Sequence, residues 1–200
     1  MVKSDGSLLD TYTVIPELGA SVGTLEVDIL DSGDSPVLNP YMEMDALDFN
    51  TSYQSSTGTF GISSQKIRVS NTTGTASWTL SIAPSGGATD YWDATTDFDY
   101  NDPTANAGDG ADADSLGGQL TIDSSSATIT PESGCSTTGL SLNSSASYSE
   151  GVVDSITIFS ASSGADTGCY WDVTGIDISQ TVPANQPADY YTIDLVLTIM

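Results

Sequence analysis

Three residues near the middle of the chain, Asp97, Asp99 and Asn101, have the types and spacing to hold a hard cation. In Asp97-Phe98-Asp99-Tyr100-Asn101 oxygen-bearing side chains recur at alternate positions. Asp109, Asp112 and Asp114 follow closely enough to complete a shell of about six to eight oxygens, so calcium is the candidate cofactor. The segment is not an EF-hand: Asp102 stands where that loop needs its glycine, and no glutamate occupies the twelfth position. The alternative is a solvated loop held open by the mutual repulsion of its carboxylates, and composition leaves both readings open.

Other chemistry finds less support. Glycoside hydrolysis needs two carboxylates flanking a sugar, but in a chain this acidic such pairs arise by chance. The sequence contains no histidine, the commonest general base near neutral pH. It also has no Gly-x-Ser-x-Gly elbow, so its many Ser and Thr hydroxyls have no evident activating base. The expectation is a protein that is not an enzyme. Trp92, inside the acidic stretch, is the aromatic residue expected to contact a ligand such as a glycan, whereas Trp78 and Trp171 stand in strand contexts that favour core packing. Asn50, Asn71 and Asn143 head Asn-x-Ser/Thr triplets, which a sequence so rich in Ser and Thr produces by chance.

Charge narrows the partners. Asp and Glu number 27 against three cationic residues, Lys3, Lys66 and Arg68, for a formal net charge of −24. Such a field repels nucleic acid and anionic lipid. No run approaches the length of a membrane-spanning helix. Cys135 and Cys169 lie in separate segments rather than in a C-x-x-C knuckle, so a structural disulfide and an oxidising compartment are expected. The opening residues show no apolar signal-peptide core, and an export signal is therefore expected to lie outside this chain.

The elements that must position these residues read as short strands. Ile67 and Val69 alternate with Lys66 and Arg68; after Asn71-Thr72-Thr73-Gly74, Ala76, Trp78, Leu80 and Ile82 alternate with Ser77, Thr79 and Ser81. The pair predicts a β-hairpin with one wet face. Leu25, Val27 and Ile29 predict a half-buried strand; Gln119 to Asp123, Ala127 to Thr130, Val152 to Phe159, Cys169 to Val173 and, after Gly175, Ile176 to Ser179 predict more, and Tyr191 to Ile199 carries the cleanest alternation. Tyr41 to Leu47 alone hints at a helical turn. Residues 1–22 read as an N-terminal arm or edge strand, with a β-prone run at Tyr12, Val14 and Ile15 ended by Pro16. Residues 23–200 read as a single domain: an all-β, antiparallel, Greek-key or Ig-like β-sandwich with an acidic loop insertion at 84–118.

Two resemblances attach to these residues. Trp78-Thr79-Leu80 after a Val-Ser-Asn-Thr-Thr-Gly approach, with Thr181 to Ala184, Tyr191-Thr192 and Leu197-Thr198 near the C-terminus, resembles the WxL family of bacterial cell-surface domains over residues 20–200. That likeness implies an exported β-rich protein held non-covalently at the cell wall, with Trp78 and Leu80 as its first motif. Leu195 stands where the second motif has tryptophan. The arm at Tyr12 to Ile15 followed by Ser21 to Val27 also resembles secreted fibre subunits such as the TasA and camelysin group and donor-strand pilins. That likeness implies a prokaryotic extracellular or cell-surface filament, and partners that are copies of the chain itself or cell-envelope components, joined by strand addition. A calcium-dependent carbohydrate- or cell-wall-binding module is the alternative.

Overall fold

In the computed structural model, the structure describes residues 23–104 and 116–200. In chain order the strands are β1 (Leu25–Leu30), β2 (Gln54–Phe60), β3 (Lys66–Asn71), β4 (Trp78–Pro84), β5 (Tyr91–Trp92), β6 (Phe98–Asp99) and β7 (Leu120–Asp123). They continue as β8 (Thr128–Pro131), β9 (Leu140–Leu142), β10 (Ala146–Ser147), β11 (Ile156–Ala161), β12 (Cys169–Thr174), β13 (Ile176–Val182) and β14 (Leu195–Ile199). Among the described residues there is no α-helix; one 3-10 turn spans Gly87–Thr89. The protein is an all-β antiparallel sandwich, as the short alternating runs predict.

Three sheets of four strands, ordered β1-β3-β12-β8, β10-β7-β13-β2 and β14-β4-β11-β9, enclose the core, with β5 and β6 as a small two-stranded ribbon. The first two sheets are joined through their strands. β12 runs into β13 through Gly175, and its neighbours β3 and β8 run into β2 and β7, so all three bend together at one corner. Gly175 donates its N–H to the Gly61 carbonyl at 2.9 Å, and both glycines have positive φ, 82° and 75°. A Cβ on Gly61 would sit 3.0 Å from the Val173 carbonyl oxygen, so only glycine fits the fold of the sheet there.

The expected hairpin of β3 and β4 does not form. β3 pairs with β1 and β12, β4 pairs with β11 and β14, and residues 72–77 carry the chain from one sheet to the other as an arch. The two runs do alternate, but each buries its apolar set in the shared core from an opposite side, which paired neighbours in one sheet cannot do. Tyr41 to Leu47 forms no helical turn either. It is an extended strap laid along β2, with Asp45 N–H donating to the Thr57 carbonyl at 2.7 Å and Met44 bridging Gly58. Gly58 permits the approach, since a Cβ there would meet the Glu43 carbonyl oxygen at 3.0 Å.

One apolar cluster joins all three sheets. Trp171, Phe159, Leu80, Ile82, Ile122, Ile158 and Ile178 are buried within it. Trp78 packs edge-on to Phe159, with ring centroids 4.9 Å apart, and lies 5.9 Å from Trp171. Cys135 and Cys169 form a disulfide across Cα atoms 6.1 Å apart. It ties the segment before β9 to the first residue of β12, beside the Trp171 indole N–H, which donates to the Ser136 carbonyl at 2.8 Å.

Candidate functional site

Two strands leave an open seam. β1 ends the first sheet and β14 ends the third. Their Cα atoms approach within 8 Å, yet no ladder hydrogen bond joins them. The direction of their free backbone groups follows from the alternation of an antiparallel ladder. On β1, Thr24 exchanges hydrogen bonds with Thr72, so the even residues face β3 and the odd ones face away. Ile29 shows this directly, because its outward carbonyl accepts from Val37 N–H at 2.9 Å. On β14, Met200 exchanges both backbone bonds with Thr79, which turns the even residues toward β4. The N–H and C=O groups of Leu25, Val27, Leu195, Leu197 and Ile199 therefore point into the seam, and their half-buried side chains rest on the core.

Between Val27–Ile29 and Thr192–Leu197 the seam deepens into a cleft of about 460 Å³. Ile82, Leu120, Ile178 and Trp92 form its floor, and Tyr41, Met42 and Tyr191 reach its rim. Leu25 and Ile199, at the other end, are not part of the lining, so the cleft belongs to one end of the seam. Trp92 is 9 % exposed and stacks on Phe98 at 6.1 Å, while its indole N–H has no acceptor among the described residues. A buried donor without a partner costs about 1–3 kcal/mol, so an occupant that offers a carbonyl here gains more than its apolar contact. Burial raises the Tyr191 hydroxyl above its ordinary pKa, with the Asp189 charge adding to the effect.

The other residues singled out by sequence fall elsewhere. Trp92 lies on a buried ribbon rather than an exposed acidic loop, because Trp92, Phe98 and Tyr100 pack into the core and draw residues 91–101 in with them. Asp97 accepts from Ala94 N–H, and Asp99 Oδ1 accepts from the N–H groups of Tyr100 and Asn101. Asn101 donates its amide to the Ala88 carbonyl. Among the described residues no group of three acidic, cysteine or histidine side chains is arranged to hold a metal. Asp109, Asp112 and Asp114, and the arm residues Tyr12, Val14 and Ile15, lie outside the described residues. Trp78 and Leu80 are core residues at 3 % and 0 % exposure.

Both described cations lie together on the outer face of the first sheet. Arg68 makes a two-pronged pair with Asp172, at 2.6 and 2.8 Å, and stacks over Tyr170; Lys66 bonds Asp34 and Asp172. Asp34 belongs to the loop whose Ser35–Val37 segment caps the far end of β1. The ion pairs therefore help fix where the open part of the seam ends. Burial pulls the Asp172 carboxyl upward, but hydrogen bonds from Arg68 and Lys66 outweigh it and hold the group below the ordinary carboxylate range.

The fold and the seam define a class: an antiparallel β-sandwich with two neighbouring unpaired strand edges over an apolar floor. Comparison with protein-family models, curated proteins and solved structures found no match.

Proposed function

We propose that this protein is a non-catalytic, secreted or surface-displayed structural or adhesive component of a prokaryotic cell envelope or extracellular fibre, and that copies of it assemble by strand addition at the β1–β14 seam. The observation that carries the reading is the pairing of two free strand edges with an apolar cleft beneath them. Exposed edges template association, and proteins that remain monomeric blunt them with Lys, Pro or bulges. β1 and β14 carry no Lys, Pro or bulge; Glu26 and Asp28 on β1 are their charged residues, and β14 has none.

An incoming strand needs edges about 9.6 Å apart, twice the ladder spacing. The edges of β1 and β14 already come closer than that at points, so assembly parts them, starting at the cleft end. The run at Tyr12, Val14 and Ile15 of a second copy is the proposed incoming strand. Its main chain would meet the free N–H and C=O groups, and its alternate side chains would enter the cleft.

Electron microscopy of the purified protein tests the reading. Filaments or ordered oligomers are expected from the full chain, and deletion of residues 1–20 is expected to leave a folded monomer that forms neither. Assembly that survives the deletion removes the arm from the proposal. The double variant Val27→Cys, Leu197→Cys joined by a bis-maleimide tests the seam itself, since no other free thiol exists among the described residues. A linked monomer that still assembles would overturn it.

A further inference from the structure

A second surface, which shares Tyr41, Met42 and Phe60 with the cleft but lies over the opposite face of β7 and β13, has the form of a ligand groove. The outward residues of β2, β13 and β7 make a polar ladder in register: Thr59, Asp177 and Asp123 form one row, and Thr57, Ser179 and Thr121 the next. The strap at residues 41–45 walls one side, and Ser145 lies at the other. The groove holds about 820 Å³, within the range of roughly 300–1,000 Å³ that ligand sites occupy.

Its acceptors are held in place. Thr57 Oγ1 donates to Asp45 Oδ2 at 2.5 Å, Ser125 donates to Asp123 Oδ1 through both N–H and hydroxyl, and Ser126 donates to Asp177 Oδ2 at 3.0 Å. Each of these carboxylates keeps its other oxygen without a protein partner among the described residues. The hydrogen bonds from Ser125 hold the Asp123 carboxyl below its ordinary pKa, so it stands ionised directly opposite Asp177. Among the described residues no Lys or Arg lines the groove. Opposed like charges on paired strands cost stability, and beyond the Ser125 and Ser126 donors solvent or a ligand answers them here.

Tyr41, 69 % exposed, stands at the rim with Phe60 and the exposed Ile62. The Tyr41 backbone is fixed by its N–H donating to Gln65 Oε1 at 2.8 Å, and the wall beyond it by Ser56 Oγ donating to the Asp45 carbonyl. A flat aromatic face at the edge of a bed of carboxylate and hydroxyl oxygens matches a ligand with one apolar face and many O–H donors. The carboxylates, with no cation beside them among the described lining residues, repel an anionic ligand.

We infer that this groove binds an uncharged oligosaccharide, with a sugar ring stacked on Tyr41 and vicinal hydroxyls donating to Asp45, Asp123 and Asp177. This is a different site from Trp92, which is buried. Recognition here would make a surface-displayed assembly adhesive along its whole length.

Calorimetric titration tests the inference, with neutral tetra- to hexasaccharides of the glucan, mannan, xylan and N-acetylglucosamine types as probes, alongside a polyuronate and spermidine. At least one neutral oligosaccharide is expected to bind, with affinity about tenfold weaker in Tyr41→Ala and again in Asp177→Asn, the loss expected of one contact. Tyr190→Ala, at a still more exposed tyrosine outside the groove, is expected to bind as the parent does. Both groove variants change exposed side chains, and unchanged melting curves confirm their folding. Binding of spermidine or the polyuronate alone overturns the inference. So does absence of binding by every neutral probe at millimolar concentration, or binding that both groove variants retain.

Discussion

The cleft beneath the seam and the groove lie on opposite faces of β7 and β13, and the seam and the groove keep their hydrogen-bonding capacity in different places. At the seam the side chains are apolar and one edge of each main chain is unpaired; in the groove β13 and β7 are laddered on both sides, β2 is laddered to β13, and the side chains carry the oxygens. A free main chain accepts any strand of suitable register, because backbone groups are common to all residues. Oxygens on side chains fix particular distances, so they select a ligand. Ile178 joins the two: its side chain floors the cleft while its neighbours Asp177 and Ser179 face the groove.

The largest expected effect is on assembly. Linking Val27→Cys to Leu197→Cys should abolish oligomers and leave oligosaccharide affinity at the parent value; a lock that changes both would mean the regions are not independent. Next is Ile178→Ala, which should cost about 2–5 kcal/mol in urea unfolding, the range for truncating a fully buried aliphatic side chain. If the seam is the looser of the two regions, hydrogen exchange in that variant should quicken more at the laddered amides of Val196 and Thr198 than at those of Gly58 and Phe60. Loss of the disulfide by Cys135→Ser with Cys169→Ser should cost about 3–4 kcal/mol through loop-closure entropy, for a sequence separation of 34. That change should affect the seam and the groove equally, since the bridge is part of neither.

In the parent protein, seam-facing amides of Leu25, Val27 and Leu197 should exchange far faster than the laddered amides of the groove strands. Protection at those amides would show the seam closed. The smallest effect concerns pH. Because the Asp172 pKa is depressed in the folded state, its contribution is complete above the unfolded value of about 3.9 and is lost as pH falls through the lower folded value. The melting-temperature gap between the parent and Asp172→Asn should therefore be constant near neutrality and narrow below about pH 4.

Much of the fold was legible because alternation is a local signal. Leu25–Ile29, Ile67–Val69, Trp78–Ile82 and Leu195–Ile199 each bury the set their spacing marks. The partner of each strand was not legible. Asn71 to Gly74 has turn chemistry that serves an arch between sheets as well as a hairpin within one. The acidic stretch misled for a similar reason: counting aspartates obscured Trp92, Phe98 and Tyr100, whose burial draws residues 91–101 inward. Nothing in Leu197 or Val27 distinguishes an edge strand from a central one, since both bury alternate apolar residues. Asp123 and Asp177 are 54 positions apart and meet only through the ladder of β7 and β13.

By itself the sequence determined the all-β class, the acidic field and the location of the apolar faces, because composition and period-two patterning act within a few residues. It also supplied the two cysteines that pair. Only the tertiary structure decided which strands became edges, that β3 and β4 cross between sheets, and which oxygens share a face. Those outcomes depend on pairing across the chain, where register and sheet order are set by packing the whole core at once.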